Sequence, residues 1–590
     1  MKGYKAPLAD MRFLLEQVFD AQNEWQQLPA FAEMADLETA VAVLEESAKL
    51  NEQVVAPLDR NADEQGVSFE NGIVKTPDGF ADAYGQFAEG GWIGLCGNPE
   101  FGGMGMPKSL GVLTDEIGYG ASNAFQLYGS LTAGAALCIN AHGSDELKEK
   151  FLPSLYSGAW TGAMDMTEPQ AGSDLRGIRT KAEIQDNGSY KISGSKIFIT
   201  SGDNDLGENV VHLVLAKIAT DKGLSKNISL FLVPKILVND DGSLGDANGV
   251  SVGSIEHKMG LKGSATCVMN YDDAEGYLIG QEGRGLAAMF TMMNYERVSI
   301  GIQGLGASEM AYQLAAEYAK ERRQGVAADK SMRSGEFNDS LLVHGDVRRM
   351  LLNIRSLNEA GRAFAVHTGL QLDIANYGEG EAAEWAGAQV GLLTPLAKAF
   401  LTDRGLDSTV AGQQVFGGHG FIREWGAEQL VRDCRIAQIY EGTNGIQALD
   451  LLGRKVVANR GENMKRLLEQ FSAETSAMTN VDAGHKDSVL TAFAELQGAT
   501  AELVDAARND ANLVNCAAVD YLNAVGYTLF GYFWLRMCNV ADEQADEQFA
   551  SDKRLVTDYY VKRVMPLAAH HLRLISTGAG ATMALELDRF

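Results

Sequence analysis

The period of the hydrophobic pattern changes twice along this chain of 590 residues, and that change constrains the fold more than any other feature. Residues 8–19, 37–50, 115–127 and 146–155 carry apolar side chains at helical spacing. Residues 180–199 then alternate between apolar and polar side chains around Asn187-Gly188, a dipeptide typical of hairpin turns. Further strand candidates are residues 210–218, 228–233 and 249–271. Helical spacing returns near residue 285 and continues towards the end of the chain.

This pattern predicts a mostly α-helical protein with an inserted β domain. The chain is too long for a single hydrophobic core, so several domains are expected. We predict four: a helical domain at 1–160, a β domain at 161–282, a helical bundle at 283–456 and an additional helical domain at 457–590. The C-terminal helices are predicted at residues 285–319 (as one helix or two), 348–370, 382–402, 463–473, 487–514, 517–537 and 552–569.

Composition and charge exclude some functions. The net charge is −28 with an isoelectric point near 4.8, which argues against nucleic-acid binding because phosphate contacts need clustered lysine and arginine. The six cysteines are scattered without a CxxC pair, which suits reduced thiols in the cytoplasm. The nine histidines form no metal-binding motif, so we predict no metal site.

The sequence also gives an expectation about membranes. Residues 1–12 lack the apolar core of a signal peptide. The nearest candidate for a membrane span, residues 522–535, is too short and is interrupted by Asn523 and Thr528. A buried helix is therefore favoured for this segment over membrane association.

One segment in the C-terminal half of the chain contains a candidate catalytic residue. Glu441 lies in QIYEGTNGIQ at residues 438–447, and Gly442 after it would let a ligand approach the backbone closely. A carboxylate in this position is a candidate general base, although a glutamate before a glycine is most often a solvated turn residue. No GxGxxG follows a predicted strand and no GxxxxGK[ST] is present, so any nucleotide must bind in another way.

Several motifs, taken in order, resemble the acyl-CoA dehydrogenase family. They are TEPQAGSDL at residues 167–175, GSKIFITSG at 194–202, YAKERRQ at 318–324, the glycine run QVFGGHGF at 414–421, and Arg432-Asp433 followed by IYEGT at 439–443. The similarity covers about residues 90–455. Any one of these motifs would be weak, but their shared order is specific.

The resemblance implies an FAD-dependent oxidoreductase that converts an acyl-CoA thioester into its trans-2-enoyl-CoA. It assigns to Glu441 the removal of the α-proton, while the β-hydrogen leaves as hydride to flavin N5. Such an enzyme needs a positioned carboxylate and a means of stabilising the developing enolate oxygen. It further implies fatty-acid β-oxidation and an electron-transfer flavoprotein as electron acceptor.

The resemblance also assigns cofactor contacts. Met166 and Thr167 would touch the polar edge of the flavin, Phe198 would lie against its ring where many relatives have Trp, and Thr200 would bond near N5. Ser173 would contact the cofactor phosphates or the pantetheine arm, and Thr443 would close over the cofactor. The pyrophosphate and adenine of the neighbouring subunit's FAD would be bound by Arg322, Gln324, Gln414, Gly417 and Gly418, so the active site would need at least a dimer. The implied substrate contacts are Ser173, Arg297, Glu441 and Gly442.

Three departures from the family pattern leave questions open. Glu296 stands where a minority branch of the family has its base, so two carboxylates compete for that role, with Glu441 favoured by its intact motif. Gly325-Val326 replaces the family's aromatic residue after the ERxQ segment. An insertion at about residues 327–340 and the C-terminal extension resemble a larger bacterial subgroup, which includes long- and medium-chain and 3-methylthiopropionyl-CoA dehydrogenases and in which a homodimer is expected.

Alternative functions remain at this point. The same chemistry could act on 3-methylthiopropionyl-CoA, or the chain could be a flavin-dependent acyl-CoA oxidase or monooxygenase. A non-catalytic acyl-CoA-binding protein is the alternative from another class, and the intact Glu441 motif argues against it.

Overall fold

The computed structural model describes residues 3–510, 512–544 and 546–590, so Met1 and Lys2 of the predicted N-terminal domain lie outside it. The N-terminal part is helical, as predicted, and contains one small hairpin. Its elements are α1 (Leu8–Phe13), α2 (Ala21–Gln26), α3 (Leu37–Leu50), α4 (Ala56–Gln65), β1 (Ser68–Glu70), β2 (Ile73–Lys75), α5 (Phe80–Glu89), α6 (Lys108–Ala121), α7 (Asn123–His142) and α8 (Asp145–Tyr156).

The prediction of one helix across residues 115–127 was wrong. The chain leaves helical geometry at Ser122, which separates α6 from α7. The Ser122 hydroxyl accepts a hydrogen bond from the backbone N–H of Phe125 at 3.2 Å and so caps the second helix. Apolar spacing continues across this cap because both helices are buried, which is why periodicity alone missed the break.

The predicted inserted β domain is confirmed, and five of its strands pair to form a closed ring. The strands are β3 (Trp160–Asp165), β4 (Lys181–Ile184), β5 (Tyr190–Thr200), β6 (Asn209–Thr220), β7 (Gly223–Leu224), β8 (Ser229–Pro234), β9 (Ile236–Val238), β10 (Leu244–Ala247), β11 (Val250–Ile255) and β12 (Thr266–Ile279). In the ring, β6 pairs with β8, β8 with β12, β12 with β5, β5 with β4, and β4 again with β6. The predicted Asn187-Gly188 hairpin joins β4 to β5, with Gly188 at a φ of +84°.

Helices return after the barrel. They are α9 (Gly285–Glu321), α10 (Gly345–Tyr377), α11 (Gly380–Val415), α12 (Ala427–Arg435) and α13 (Asn444–Leu449). Residues 285–319 thus form part of one helix. Close packing at its glycines is confirmed at Gly301 and Gly304, where an added Cβ atom would collide with the backbone of Ala397 and Thr402 in α11.

The C-terminal region is helical but more divided than predicted. It contains α14 (Glu462–Ala477), α15 (Ala483–Ala506), α16 (Leu513–Val540), α17 (Glu547–Arg563), α18 (Leu567–Ile575) and α19 (Gly580–Met583). The helix predicted at 487–514 ends at Ala506, and the one predicted at 552–569 is interrupted before Pro566, which has no N–H to continue the ladder. Residues 521–535 form a buried part of α16, as predicted.

The chain folds into two compact units. The first unit comprises residues up to Glu45, Pro107–Glu116 and Ile300–Phe590, and the second comprises Glu46–Met106 and Ile117–Ser299. The first contains a buried ionic network around Arg362, whose guanidinium is paired with Asp10, Glu116 and Glu309. Among the described residues, no helix is long and apolar enough to cross a membrane.

Candidate active site

In the second unit, one buried carboxylate organises the loop that follows β3. Glu168 accepts hydrogen bonds from Arg179 N at 2.7 Å, from Thr180 N and Oγ1 at 3.0 and 2.6 Å, and from Lys196 Nζ at 2.9 Å. Burial raises the pKa of Glu168, but the Lys196 charge and these donors outweigh burial and lower it to about 2. Glu168 is therefore ionised at neutral pH and holds both ends of the loop together.

This network fixes two predicted flavin contacts. Lys196 Nζ also donates to the Met166 carbonyl at 3.1 Å, and Ile197 N donates to the Thr167 carbonyl at 2.9 Å. The half-buried pair Met166 and Thr167 is thus tied directly to β5, the strand that carries the predicted contacts Phe198 and Thr200. Ser173 is exposed on the outer part of the same loop.

Phe198 has an unusual conformation for a strand residue. Lys196 pairs with Met269 and Ile199 with Cys267, so two residues of β5 face one residue of β12 and form a bulge. Phe198 lies in this bulge with a φ of +60°, and its side chain is 60% exposed. A bulky side chain in left-handed geometry is strained, and such strain is concentrated at ligand sites. Phe198 is therefore not the ordinary core residue that a strand position would suggest.

Glu296 and Arg297 lie on the part of α9 that belongs to the second unit. The Glu296 side chain is 0% exposed, and a Cβ atom added at Gly134 of α7 would lie 2.5 Å from its Oε1. Arg297 is half-buried, with its guanidinium carbon 5.8 Å from the centre of the Phe290 ring. The carboxylate that competes with Glu441 is thus enclosed between two helices.

In the first unit, Glu441 is half-buried on a loop and has a φ of +55°. Gln447 Nε2 donates to the Glu441 carbonyl at 3.0 Å. Lys398, which is 0% exposed on α11, donates to the Gly442 carbonyl at 2.8 Å and to Asn444 Oδ1 at 2.7 Å. The backbone on the C-terminal side of Glu441 is therefore anchored, which holds the strained residue in place.

The loop leads directly into α13. Thr443 caps this helix, its hydroxyl accepting from Ile446 N at 3.4 Å. Gly442 has a φ of +79°, and a Cβ atom there would lie 2.7 Å from Gln447 Nε2. The backbone conformation therefore favours a glycine at 442, and a side chain there would also displace the Gln447 amide.

The remaining predicted cofactor residues also lie in the first unit. Tyr318 stacks on Phe416 with ring centres 4.2 Å apart, and its hydroxyl is 2.9 Å from His419 Nδ1. These contacts join the end of α9 to the turn Gly417–Phe421. They bring the segment of Arg322 and Gln324 towards the segment of Gln414, Gly417 and Gly418, and all five residues are exposed.

Sequence reasoning missed the roles of two positively charged residues at these sites. Lys196 lies within the motif at 194–202, and Lys398 interrupts the apolar run PLAKAFL at 395–401. A lysine inside such a run indicates a buried charge that needs specific partners. This signal could have identified Lys398 as a buried charge. No sequence pattern indicates the positive φ values of Phe198 and Glu441.

The residues present fit an FAD molecule. A strained aromatic side chain stands exposed beside anchored backbone in the second unit. In the first unit, exposed Arg322 and Gln324 follow the end of α9, which packs against a glycine turn. Flat aromatic surface and arginine donors are the groups that a ring system and a pyrophosphate require. Over the ranges that the structure describes, no group of three or more His, Cys, Asp or Glu residues is arranged to hold a metal ion.

Comparison with known proteins defines the class. The family models for the acyl-CoA dehydrogenase N-terminal, middle and C-terminal domains match residues 38–159, 163–274 and 283–456. A fourth model, described as acetyl-CoA dehydrogenase C-terminal like, matches residues 465–586. The chain belongs to the acyl-CoA dehydrogenase family.

Its relatives include enzymes that it matches over nearly their full length. The chain is 39% identical to 3-methylmercaptopropionyl-CoA dehydrogenase of Ruegeria pomeroyi over 98% of both chains. It is 34% identical to a butyryl-CoA dehydrogenase of Syntrophomonas wolfei over 96% of this chain and 95% of that one. The fold matches the acyl-CoA dehydrogenase complexed with FAD from Bacillus anthracis, with a TM-score of 0.75, 22% identity and coverage of 95% and 91%.

The predicted family, fold class, enzyme class and cofactor are confirmed by these findings. The protein is an FAD-dependent oxidoreductase that dehydrogenates acyl-CoA thioesters.

Proposed function

We propose that Glu441 is the general base that removes the α-proton of a short acyl-CoA thioester. The observation that carries this proposal is the φ of +55° at Glu441, held in place by the hydrogen bonds to its own carbonyl and to that of Gly442. Strained backbone conformations are concentrated at functional sites. Glu441 also lies on a loop and is half-buried rather than fully enclosed, which suits a residue that a substrate must reach.

The other groups of the loop have supporting roles. The backbone N–H of Glu441 holds the thioester oxygen, on which negative charge develops as the α-proton leaves. Gly442 lets the acyl group approach the backbone, and Ser173 and Arg297 contact the CoA part of the substrate. When bound, FAD supplies the acceptor for the hydride that leaves the β-carbon.

The cofactor is held by two sets of residues. Met166, Thr167, Phe198 and Thr200 bind the flavin, and Thr443 closes over it. The pyrophosphate and adenine are bound by residues of the neighbouring subunit, namely Arg322, Gln324, Gln414, Gly417 and Gly418. This arrangement makes the homodimer the smallest active assembly. Its support is that all five residues are exposed in the single chain.

Glu296 is the alternative base. Its side chain is 0% exposed and confined beside Gly134, whereas Glu441 is half-buried on a loop. A base must come within hydrogen-bond reach of the proton that it removes, so accessibility favours Glu441.

The proposed substrate is 3-methylthiopropionyl-CoA or an unbranched thioester of similar length, such as butyryl-CoA. The support is that the two full-length relatives above are named for these substrates. We further propose an electron-transfer flavoprotein as acceptor, a role in β-oxidation in the cytoplasm, and the four domains 1–160, 161–282, 283–456 and 457–590.

The test is anaerobic bleaching of the bound flavin. Wild type, Glu441→Gln and Glu296→Gln are each mixed with acyl-CoAs from C4 to C16 and with 3-methylthiopropionyl-CoA. We expect wild type and Glu296→Gln to bleach, fastest with the short thioesters, and Glu441→Gln to lose about 100-fold or more in rate, as expected for loss of a general base.

Each of the other possible outcomes would support a different conclusion. Bleaching by Glu441→Gln but not by Glu296→Gln would move the base to Glu296. Fastest bleaching with C12 to C16 thioesters would refute the short substrate. Turnover with oxygen alone at the rate reached with an artificial electron acceptor would favour the oxidase or monooxygenase.

A further inference from the structure

The insertion at residues 327–340, here called the 327–340 loop, returns to the segment of Arg322 and Gln324. Gln324 N donates to the Asp339 carbonyl at 3.0 Å, and Asp339 N donates to the Gly325 carbonyl at 2.8 Å. Leu341 N donates to the Arg322 carbonyl at 3.0 Å. The end of the loop is therefore paired with the proposed pyrophosphate-binding segment by an antiparallel ladder.

The loop is internally anchored by one carboxylate. Asp339 is 1% exposed and accepts hydrogen bonds from Ala327 N at 2.8 Å and from Ser334 N and Oγ at 2.7 and 2.6 Å. The hydrogen bond from the Ser334 side chain is the largest cause that lowers the pKa of Asp339 to about 2. Arg333 Nε also donates to the Ala327 carbonyl at 2.9 Å. These bonds give the loop a defined shape.

The loop presents one aromatic side chain to solvent. Phe337 is 92% exposed and lies two residues before the ladder residue Asp339. Leaving a phenyl group in water forgoes about 1.5–3 kcal/mol of burial free energy, so an ordered loop that displays one is expected to have it covered in the working enzyme. Gly325 and Val326, which follow the proposed pyrophosphate-binding residues, provide no aromatic ring.

We infer that Phe337 is the stacking surface for the adenine of the FAD whose pyrophosphate Arg322 and Gln324 bind. This inference rests on the proposed assignment of that segment to the cofactor. FAD pairs a flat purine with a charged pyrophosphate, and the ladder joins the segment that carries Phe337 to the segment that carries Arg322 and Gln324. The insertion thereby restores a ring that positions 325 and 326 lack.

The test measures release of FAD from the holoenzyme, followed by the rise in flavin fluorescence after dilution. We expect Phe337→Ala to release FAD about 5- to 150-fold faster than wild type, the range for loss of one base–aromatic stack, and Phe337→Trp to stay near wild type. Met332→Ala is the matched control, because Met332 is an exposed apolar residue (41%) of the same loop that is not aromatic. It should release FAD at the wild-type rate.

Release from Phe337→Ala within about twofold of wild type would overturn the inference. So would a change in sedimentation of Phe337→Ala without faster release, which would assign the ring to a protein contact. Arg322→Ala separates this inference from the proposed function. If Arg322→Ala releases FAD faster but Phe337→Ala does not, only the inference fails. If Phe337→Ala alone does so, the ring is supported and the pyrophosphate assignment fails.

Discussion

Replacement of Lys398 by methionine tests whether a buried charge positions Glu441. Methionine keeps most of the length and the apolar stem of lysine but removes the ammonium group. The substitution therefore deletes the hydrogen bonds to the Gly442 carbonyl and to Asn444 Oδ1, at 2.8 and 2.7 Å, without opening a large cavity. Glu441 itself is unchanged, so any effect on its chemistry is transmitted through the loop backbone.

The expected magnitude follows from the two lost bonds. A hydrogen bond from a charged donor contributes about 1.5–3 kcal/mol, so the pair is worth about 3–6 kcal/mol at most. Part of this stabilises the folded protein, and Gln447 still holds the Glu441 carbonyl. If the free energy of about one of these hydrogen bonds serves to position the base, then kcat falls about 10- to 150-fold, because 1.36 kcal/mol corresponds to a factor of ten.

The assay is steady-state dehydrogenation with an artificial electron acceptor between pH 6 and 9. We expect kcat to fall, KM to change less than about threefold, and the pH profile of kcat to shift, because a misplaced base changes its surroundings. Lys465→Met removes an exposed lysine and serves as the control.

A folded Lys398→Met enzyme with kcat within threefold of wild type and an unchanged pH profile would refute this reasoning. An equal loss in kcat for Lys465→Met would do the same, because it would show that the effect is not specific to the Glu441 loop.

The remaining predictions concern stability, measured by urea unfolding. Glu168→Gln leaves Lys196 buried without its anion and should lower the unfolding free energy by about 3 kcal/mol. The pKa of Glu168 is lowered from 4.5 to about 2 in the folded protein, so wild type should lose this stabilisation as the pH falls through that interval, and the variant should not. The same pH dependence of the unfolding free energy in both proteins would count against this. Arg362→Met should lower the unfolding free energy by about 3–5 kcal/mol, because buried carboxylates lose their cation. Arg454→Met removes an exposed arginine and should cost under about 1 kcal/mol. Similar costs for the two variants would contradict the role of the buried network.

The sequence predicted the elements whose signals are local. The Asn187-Gly188 hairpin and the return to helical spacing near residue 285 depend on residues close together in the chain, and both predictions are confirmed. The break at Ser122 was missed because a serine cap inside an apolar stretch does not change the period. The interruption before Pro566 could have been predicted, since proline cannot continue a helix.

For the site, motif residues could be named from sequence, but their supports could not. Glu168 and Lys196 are 28 positions apart, and Lys398 and Gly442 are 44 apart, so only the fold pairs them. The left-handed backbone of Phe198 follows from a bulge between β5 and β12, which depends on the register of two strands far apart in the chain. The roles of the individual site residues remain predictions for the experiments above.

The close approach of Gly301 to the Ala397 carbonyl has a consequence for substitutions at residues that take no part in the reaction. It sets the distance between α9 and α11 at the level of Lys398, which follows Ala397 in the chain. Any side chain at position 301 would push α11 outwards and carry the ammonium group away from the Gly442 carbonyl. A single added methyl group, far from Glu441 in sequence, would then behave kinetically like a defect in the catalytic base. Loss of activity from a glycine substitution on α9 would reflect the spacing between α9 and α11 and the position of the Lys398 ammonium group.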